Sequence, residues 1–315
     1  MTTSAYETSS ALLGLSNDLA GAVERAGRSV VAVNARQRVS ASGIHWRPGV
    51  IVATDHTVER DDEITVTLPD GRSVPATLAG RDPSTDIAVL RLRDADLASA
   101  VPAADLGDAS SLRIGTLVLA VGRPGDGGLG ASMGVISSAG GPWTTYRGGQ
   151  IDRFVRPDLT LYPGFSGGPL VDAQGLVVGL NTSALSRNQG LTIPVSTINR
   201  VVDALLTTGR IARGYLGVGF QPVRLPDTMK ASLNLPSNEG VIAVTVEPNG
   251  PAEASGMMIG DVLIALDGQP VANTDNIQAL LGPERVGKAV AARVVRGGAI
   301  ADLNVTVGER PRRGE

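Results

Sequence analysis

The sequence predicts a mainly β protein of two domains, and three observations point that way. The chain has 315 residues, more than one ordinary core and enough for two. Its 40 glycines and 19 prolines are scattered among short apolar runs instead of forming repeats, as a turn-rich β fold requires. The pattern stops near Gly209–Gly214 and then restarts, which marks a boundary. The expected segments are an N-terminal helical part (1–28), a first β domain (29–210), a smaller β-rich domain (214–308) and a tail (309–315).

Taken in order, Leu12, Leu13, Leu15, Leu19, Val23 and Ala26 recur near helical spacing, so residues 9–26 read as an amphipathic helix. Short apolar runs at 29–34, 49–53, 63–68, 87–92, 117–121, 134–138, 175–180 and 191–193 read as strands. Pro69-Asp70-Gly71 is a hairpin turn, because glycine supplies positive φ without a Cβ clash. Many short strands with regular turns predict a barrel or a sandwich. Residues 197–208 read as a helix closed by Gly209. In the second domain strands are expected at 216–220, 240–246, 262–266, 290–295 and 303–307, with helices at 251–255 and 274–281.

Charged residues are 19% of the chain and the net charge is −3, so no basic field points to nucleic acid. The chain has no cysteine, which excludes disulfides and thiolate metal sites. Residues 1–10 lack a basic stretch followed by an apolar core, and Asn17, Asp18, Glu24 and Arg25 interrupt the segment after them. Neither a signal peptide nor a membrane span is read, so the chain as given reads as cytoplasmic.

The chemistry centres on Gly164-Phe165-Ser166-Gly167-Gly168-Pro169-Leu170. A nucleophilic serine needs an exposed hydroxyl and nearby backbone N–H groups, and glycines allow the tight turn that provides both. As G-x-S-x-G the segment would also fit an α/β-hydrolase, whose histidine follows the serine. Both histidines, His45 and His56, precede Ser166, so that fold would lack its base. A subtilisin-like order needs an acid before the histidine, and Asp18 and Asp55 are poorly placed for it. The order His, Asp, Ser remains, the chymotrypsin-like one.

His56 follows the apolar run 50–53, and an imidazole at a strand end suits a general base. His45, beside Trp46 and before Arg47-Pro48-Gly49, reads as a structural residue near a hairpin. Asp86 leads into the apolar run 87–92, where a carboxylate needs a partner that a histidine Nδ1–H can supply. Asp82 reads as the cap of a turn. Spacings of 30 residues from His56 to Asp86 and 80 from Asp86 to Ser166 suit two barrels, the first supplying base and acid and the second the nucleophile.

The segments 54–58 (Thr-Asp-His-Thr-Val), 84–90 (Ser-Thr-Asp-Ile-Ala-Val-Leu) and 163–170 (Pro-Gly-Phe-Ser-Gly-Gly-Pro-Leu) resemble the three triad segments of the HtrA (Deg) serine proteases. Residues 134–137 and 179–182 resemble strands of that family. Arg213-Gly214-Tyr215-Leu216-Gly217-Val218, with Gly250-Pro251-Ala252-Glu253 and Gly260-Asp261-Val262-Leu263, resembles a PDZ domain. The resemblance implies a chymotrypsin-like double β-barrel followed by one PDZ domain. It implies Ser166 as nucleophile, His56 as base and Asp86 as its orienting acid, with the N–H groups of Gly164 and Ser166 as oxyanion hole.

Leu161 and Leu185 fall where the family lines its specificity pocket, which implies small or medium aliphatic side chains before the cut. Tyr215, Leu216, Gly217 and Val218 correspond to the carboxylate-binding loop, and Ile277 and Leu281 to one wall of the peptide pocket. The resemblance further implies unfolded-protein substrates, C-terminal peptide ligands, neither metal nor cofactor, a homotrimer, and an exported or anchored location. The chain departs from the family at Phe165, where asparagine is usual, at Asp55 and Thr57 beside the base, and over 42–47. Phe165 would either alter the oxyanion turn or fill a gap, and a non-catalytic peptide-binding or chaperone protein is the competing expectation.

Overall fold

The computed structural model describes residues 3–37, 39–93, 101–125, 128–186 and 189–309; the expected tail lies almost wholly outside them. The chain forms two compact units, residues 1–211 and 212–315.

The first unit opens with helix α1 (Thr3–Gly27). From residue 11 onward its C-terminal part is the covered one: Ala22 and Ala26 are buried and Leu19 and Val23 pack against the same core, while Leu12 is 65% exposed. The apolar stripe expected from residue 12 onward is therefore partnered only from Leu19. Strands β1 (Val30–Asn34), β2 (Ala41–Arg47), β3 (Val50–Ala53), β4 (Ile64–Thr67), β5 (Ser73–Asp82) and β6 (Ile87–Leu92) close a barrel in the order β1-β2-β3-β6-β5-β4. The expected hairpin joins β4 to β5, with Gly71 at φ +86° and Leu68 N–H donating to Arg72 O at 2.8 Å.

A second set follows: β7 (Leu117–Gly122), β8 (Gly130–Ala139), the short pair β9 (Trp143–Thr144) and β10 (Gln150–Ile151), β11 (Val155–Asp158), β12 (Pro169–Val171), β13 (Val177–Thr182) and β14 (Leu191–Pro194). Six of these form a barrel-like sheet in the order β11-β8-β7-β12-β13-β14. Helix α2 (Val195–Thr208) buries Ile198, Val201, Val202 and Leu205, one helical face, and ends at Gly209 with φ +72°.

The strands read as continuous apolar runs because both their faces are buried. In β3, Ile51 and Ala53 fill the first barrel, whereas Val50 and Val52 join a core shared with the second. In β7, Val118 and Ala120 fill the second barrel, whereas Leu119 and Val121 face that shared core. Alternation sorts side chains between two apolar environments, so no polar face interrupts the run. Strands β2, β5, β9, β10, β11 and β12 lie outside the runs expected as strands. In β2 the buried polar residues Ser42 and His45 break the apolar pattern, in β5 Pro75 and a bulge near Gly80 do so, and β12 has three residues. The architecture is mainly β: a closed six-stranded barrel and a barrel-like six-stranded sheet in the first unit, followed by a smaller β-rich unit.

The second unit is a six-stranded sheet, with Val218–Arg224, Glu239–Val246, Val262–Leu266, Ala289–Arg296 and Ala299–Thr306 side by side in that order and Gln269–Pro270 paired with the third of them. Its elements are β15 (Gly214–Tyr215), β16 (Val218–Arg224), α3 (Asp227–Ser232), β17 (Glu239–Val246), α4 (Pro251–Ala254), β18 (Val262–Leu266), β19 (Gln269–Pro270), α5 (Thr274–Leu280), β20 (Ala289–Arg296), β21 (Ala299–Thr306) and β22 (Gly308–Glu309). Helix α5 starts with a reciprocal cap between Asn273 and Asn276. Asp261 is buried but held by Arg296, whose Nε and second guanidinium nitrogen each lie 2.7 Å from a carboxylate oxygen. That pairing, with Met258 N–H, keeps its carboxyl below the usual range although burial alone would raise it.

Candidate active site

His56 sits in a short 3₁₀ turn, residues 55–57, directly after β3. Thr54 and Thr57 fasten the turn, their hydroxyls 2.9 Å apart and Thr57 Oγ1 donating to Thr54 O at 2.9 Å. On the far side Asp55 faces Arg81 at 2.8 Å, a contact of charges not aligned as a hydrogen bond, and Arg81 also donates to Val58 O. Burial pushes the Asp55 carboxyl above its ordinary value, and Arg81 offsets part of that rise.

Asp86 has φ +58°, a left-handed conformation that aspartate tolerates better than most residues. Its carboxylate is 3% exposed and collects three donors. Oδ1 accepts from His56 N–H at 2.9 Å, both oxygens face His56 Nδ1 at 3.0 and 2.8 Å, and Thr182 Oγ1 donates to Oδ2. With Nδ1–H committed to the carboxylate, Nε2 is left as the imidazole's acceptor. Asp82 instead accepts from Ser84 and Thr85 and closes the turn before Asp86. His45 is buried in β2, with Nε2 accepting from Gly49 N–H at 3.1 Å and Nδ1 facing Pro102 O at 3.1 Å. Burial lowers its pKa, and the backbone carbonyls of Pro102 and Val101 oppose that.

Ser166 lies on the turn before β12, and first-barrel groups hold that turn. Ser42 N–H donates to Gly164 O at 2.9 Å and to Ser166 O at 3.2 Å, and Ser42 Oγ donates to Gly164 O at 2.7 Å. The approach is close enough to require glycine at 167: a Cβ there would lie 2.0 Å from Ser42 O, at φ +89°. The N–H groups of Gly164 and Ser166 make no hydrogen bond among the described residues. Phe165 does not project into the site. Its ring is 3% exposed, fills the notch left by Gly122 and Gly130, and meets Tyr162 edge-on at 5.4 Å. Of the two readings of this residue, the packing supports the filled gap.

Two hydroxyls at the end of β13 escaped the sequence reading. Thr182 reaches Asp86 from the other barrel, and Ser183 Oγ lies 3.1 Å from Ser166 Oγ and 3.5 Å from His56 Nε2. The sequence signal was slight: three polar residues, Asn181, Thr182 and Ser183, closing an apolar run. Leu161 packs against the second-barrel core and close to Gly190, whereas Leu185 belongs to the core between the barrels.

In the second unit, Leu216 is buried in one core with Ile277 and Leu281, and Leu281 lies just past the end of α5. Gly214 N–H donates to Leu281 O at 3.1 Å, and Gly217 has φ +74°. The N–H groups of Leu216 and Gly217 are unpaired among the described residues, while Val218 enters β16 opposite Val246. Tyr215 pairs with Gly308 between β15 and β22.

Residues 41–180 match the trypsin-like peptidase domain and residues 214–307 the PDZ domain. A solved structure titled "HtrA-type protease AlgW with tripeptide" is 30% identical with a TM-score of 0.72, covering 94% of this chain and 98% of its own. The chain belongs to the HtrA family. Another neighbour is the crystal structure of the serine endoprotease from Yersinia pestis, 27% identical with a TM-score of 0.74, covering 93% of this chain and 98% of its own. The probable periplasmic serine endoprotease DegP-like of Halomonas elongata is 34% identical over 281 residues, 88% of this chain and 57% of that protein. A Brucella suis protein of the same description is 35% identical over 268 residues, covering 84% and 51%. The chain thus spans about half the length of the curated relatives it matches. Among the described residues no helix is long and apolar enough to cross a membrane.

Proposed function

We propose that this HtrA-family chain is a serine endopeptidase acting on unfolded or damaged proteins. The observation that carries the reading is the His56–Asp86 pair at 2.8 Å, with Nε2 turned to the Ser183 hydroxyl that Ser166 also meets. Ser166 Oγ attacks the scissile carbonyl while His56 Nε2 takes its proton. Asp86 stabilises the imidazolium so formed and fixes its tautomer. The N–H groups of Gly164 and Ser166, which make no hydrogen bond among the described residues, are proposed to receive the oxyanion. His56 then returns its proton to the leaving amine, and water repeats the cycle on the acyl-enzyme. The protease domain is taken as residues 29–210. Leu161 and Leu185 favour small or medium aliphatic side chains before the cut.

Residues 214–308 are proposed to bind peptide C-termini as an added strand beside β16, the carboxylate held by the N–H groups of the Tyr215–Val218 loop, with Ile277 and Leu281 on the pocket wall. Exposed Leu12, Leu13 and Leu15 on α1 support a self-associating assembly, proposed as a homotrimer and read by sedimentation. By likeness to relatives named periplasmic, an extracytoplasmic location is proposed.

The test is fluorophosphonate labelling together with degradation of unfolded casein. The expected result is labelling at Ser166 and casein cleavage, both lost in S166A. Protein that neither labels nor cleaves refutes the assignment and leaves a peptide-binding or chaperone role. For the second unit, amidating the C-terminus of a bound peptide abolishes binding; unchanged binding refutes the carboxylate mode.

A further inference from the structure

The hydroxyl of Ser183 stands between the two groups that must exchange a proton. Its Oγ is 3.1 Å from Ser166 Oγ and 3.5 Å from His56 Nε2. Among the described residues Ser166 Oγ has no other hydrogen-bond partner, and none joins it to His56. Ser183 is exposed, and among the described residues its hydroxyl makes only these two hydrogen bonds, both to the groups of the candidate site. A neutral alcohol is a negligible base near neutral pH, whereas imidazole is a competent one. A Ser166 hydroxyl bonded to Ser183 is thus held but not activated.

We propose that Ser183 is a positioning residue that competes with His56 for the Ser166 hydroxyl and slows the unoccupied site. The proposal rests on Ser166 and His56 acting as nucleophile and base. For attack, Ser166 leaves Ser183 and turns to His56. Its O–H bond breaks, the proton goes to Nε2, and the freed electron pair forms the bond to the carbonyl carbon. Ser183 keeps its own proton throughout. A relay, in which Ser183 accepts the Ser166 proton while donating its own to His56, would make the hydroxyl helpful. The 3.5 Å span to Nε2, at the far limit of hydrogen bonding, argues against that route.

The experiment measures the second-order rate of Ser166 labelling by a fluorophosphonate for the full-length wild type, S183A, S183G and S183T. Losing one neutral hydrogen bond to the competitor raises the rate about 2- to 10-fold in S183A and S183G. S183T, which restores a hydroxyl, falls back towards the wild-type rate, a reversal that a purely structural effect would not produce. Melting curves show that each variant is folded, and S183G carries the test if S183A is not. A slower rate without the hydroxyl overturns the proposal in favour of a relay, and an unchanged rate overturns it outright. Failure of the underlying assignment is seen separately, as wild-type protein that does not label at all.

Discussion

Replacing Phe165 by alanine tests whether packing holds the nucleophile's turn. A Cβ placed on Gly122 would lie 2.7 Å from the Phe165 ring, and one on Gly130 would lie 3.1 Å from it. The ring therefore occupies space that two neighbouring strands leave open. Removing a buried phenylalanine side chain costs about 3–5 kcal/mol. For a unit of residues 1–211 each kcal/mol moves the melting temperature by about 2–4 °C, so F165A melts roughly 6–20 °C lower. Gly122→Ala on its own forces a methyl against the ring and costs about 1–3 kcal/mol. Without the ring, the same methyl enters vacated space, so its cost shrinks or changes sign. Denaturant melts of wild type, G122A, F165A and the double variant close the cycle, with an expected coupling of at least about 1 kcal/mol. Labelling of Ser166 falls with F165A, because the Gly164–Ser166 turn loses its support. Strict additivity, or F165A melting with the wild type, would refute the reasoning.

Asp86→Asn leaves an amide that can hold Nδ1 in the wrong tautomer, and casein cleavage falls on the order of 10⁴-fold while the melting temperature changes little by comparison. Cleavage within tenfold of wild type would remove Asp86 from the mechanism. Gly167→Ala meets Ser42 O at 2.0 Å on backbone already at φ +89°, so it destabilises by at least about 2–3 kcal/mol and Ser166 labelling drops with the folded fraction. A stable, fully labelled G167A refutes that packing. His45 supplies the pH prediction: its folded pKa lies below the ordinary value of about 6.5, so the unfolded chain binds more protons between the two. Stability is full above about pH 6.5 and is lost as pH falls through the folded pKa. In urea melts His45→Gln flattens that slope, and an identical slope in both proteins would exclude His45 as its source.

How far the fold was legible depended on whether each element carries its own signal. Helix α2 was readable because Ile198, Val201, Val202 and Leu205 repeat at helical spacing and Gly209 supplies its left-handed cap. Strands β3, β6 and β7 were readable as unbroken apolar runs, since each lies between two cores. Strand β2 was not, because Ser42 and His45 are polar and find their partners elsewhere: Ser42 in Gly164 and Arg123, His45 in Pro102 and Gly49. Strand β5 carries Pro75, which offers no N–H to the ladder, and its register shifts between Leu78 and Gly80.

By itself the sequence determined the family, the order of His56, Asp86 and Ser166, and the turns that present them. Those features depend on residue type and near neighbours: an imidazole after a strand, an acid before one, a serine among glycines. Only the tertiary structure decided what surrounds them. Thr182 meets Asp86 across 96 positions, Ser42 meets Gly164 across 122, and Ser183 meets Ser166 across 17. It also decided that Phe165 turns into the barrel, because the glycines that make room for it lie on two other strands. A hydroxyl or an aromatic ring has no periodicity of its own. What it does is settled by the groups that folding places within about 3–4 Å of it.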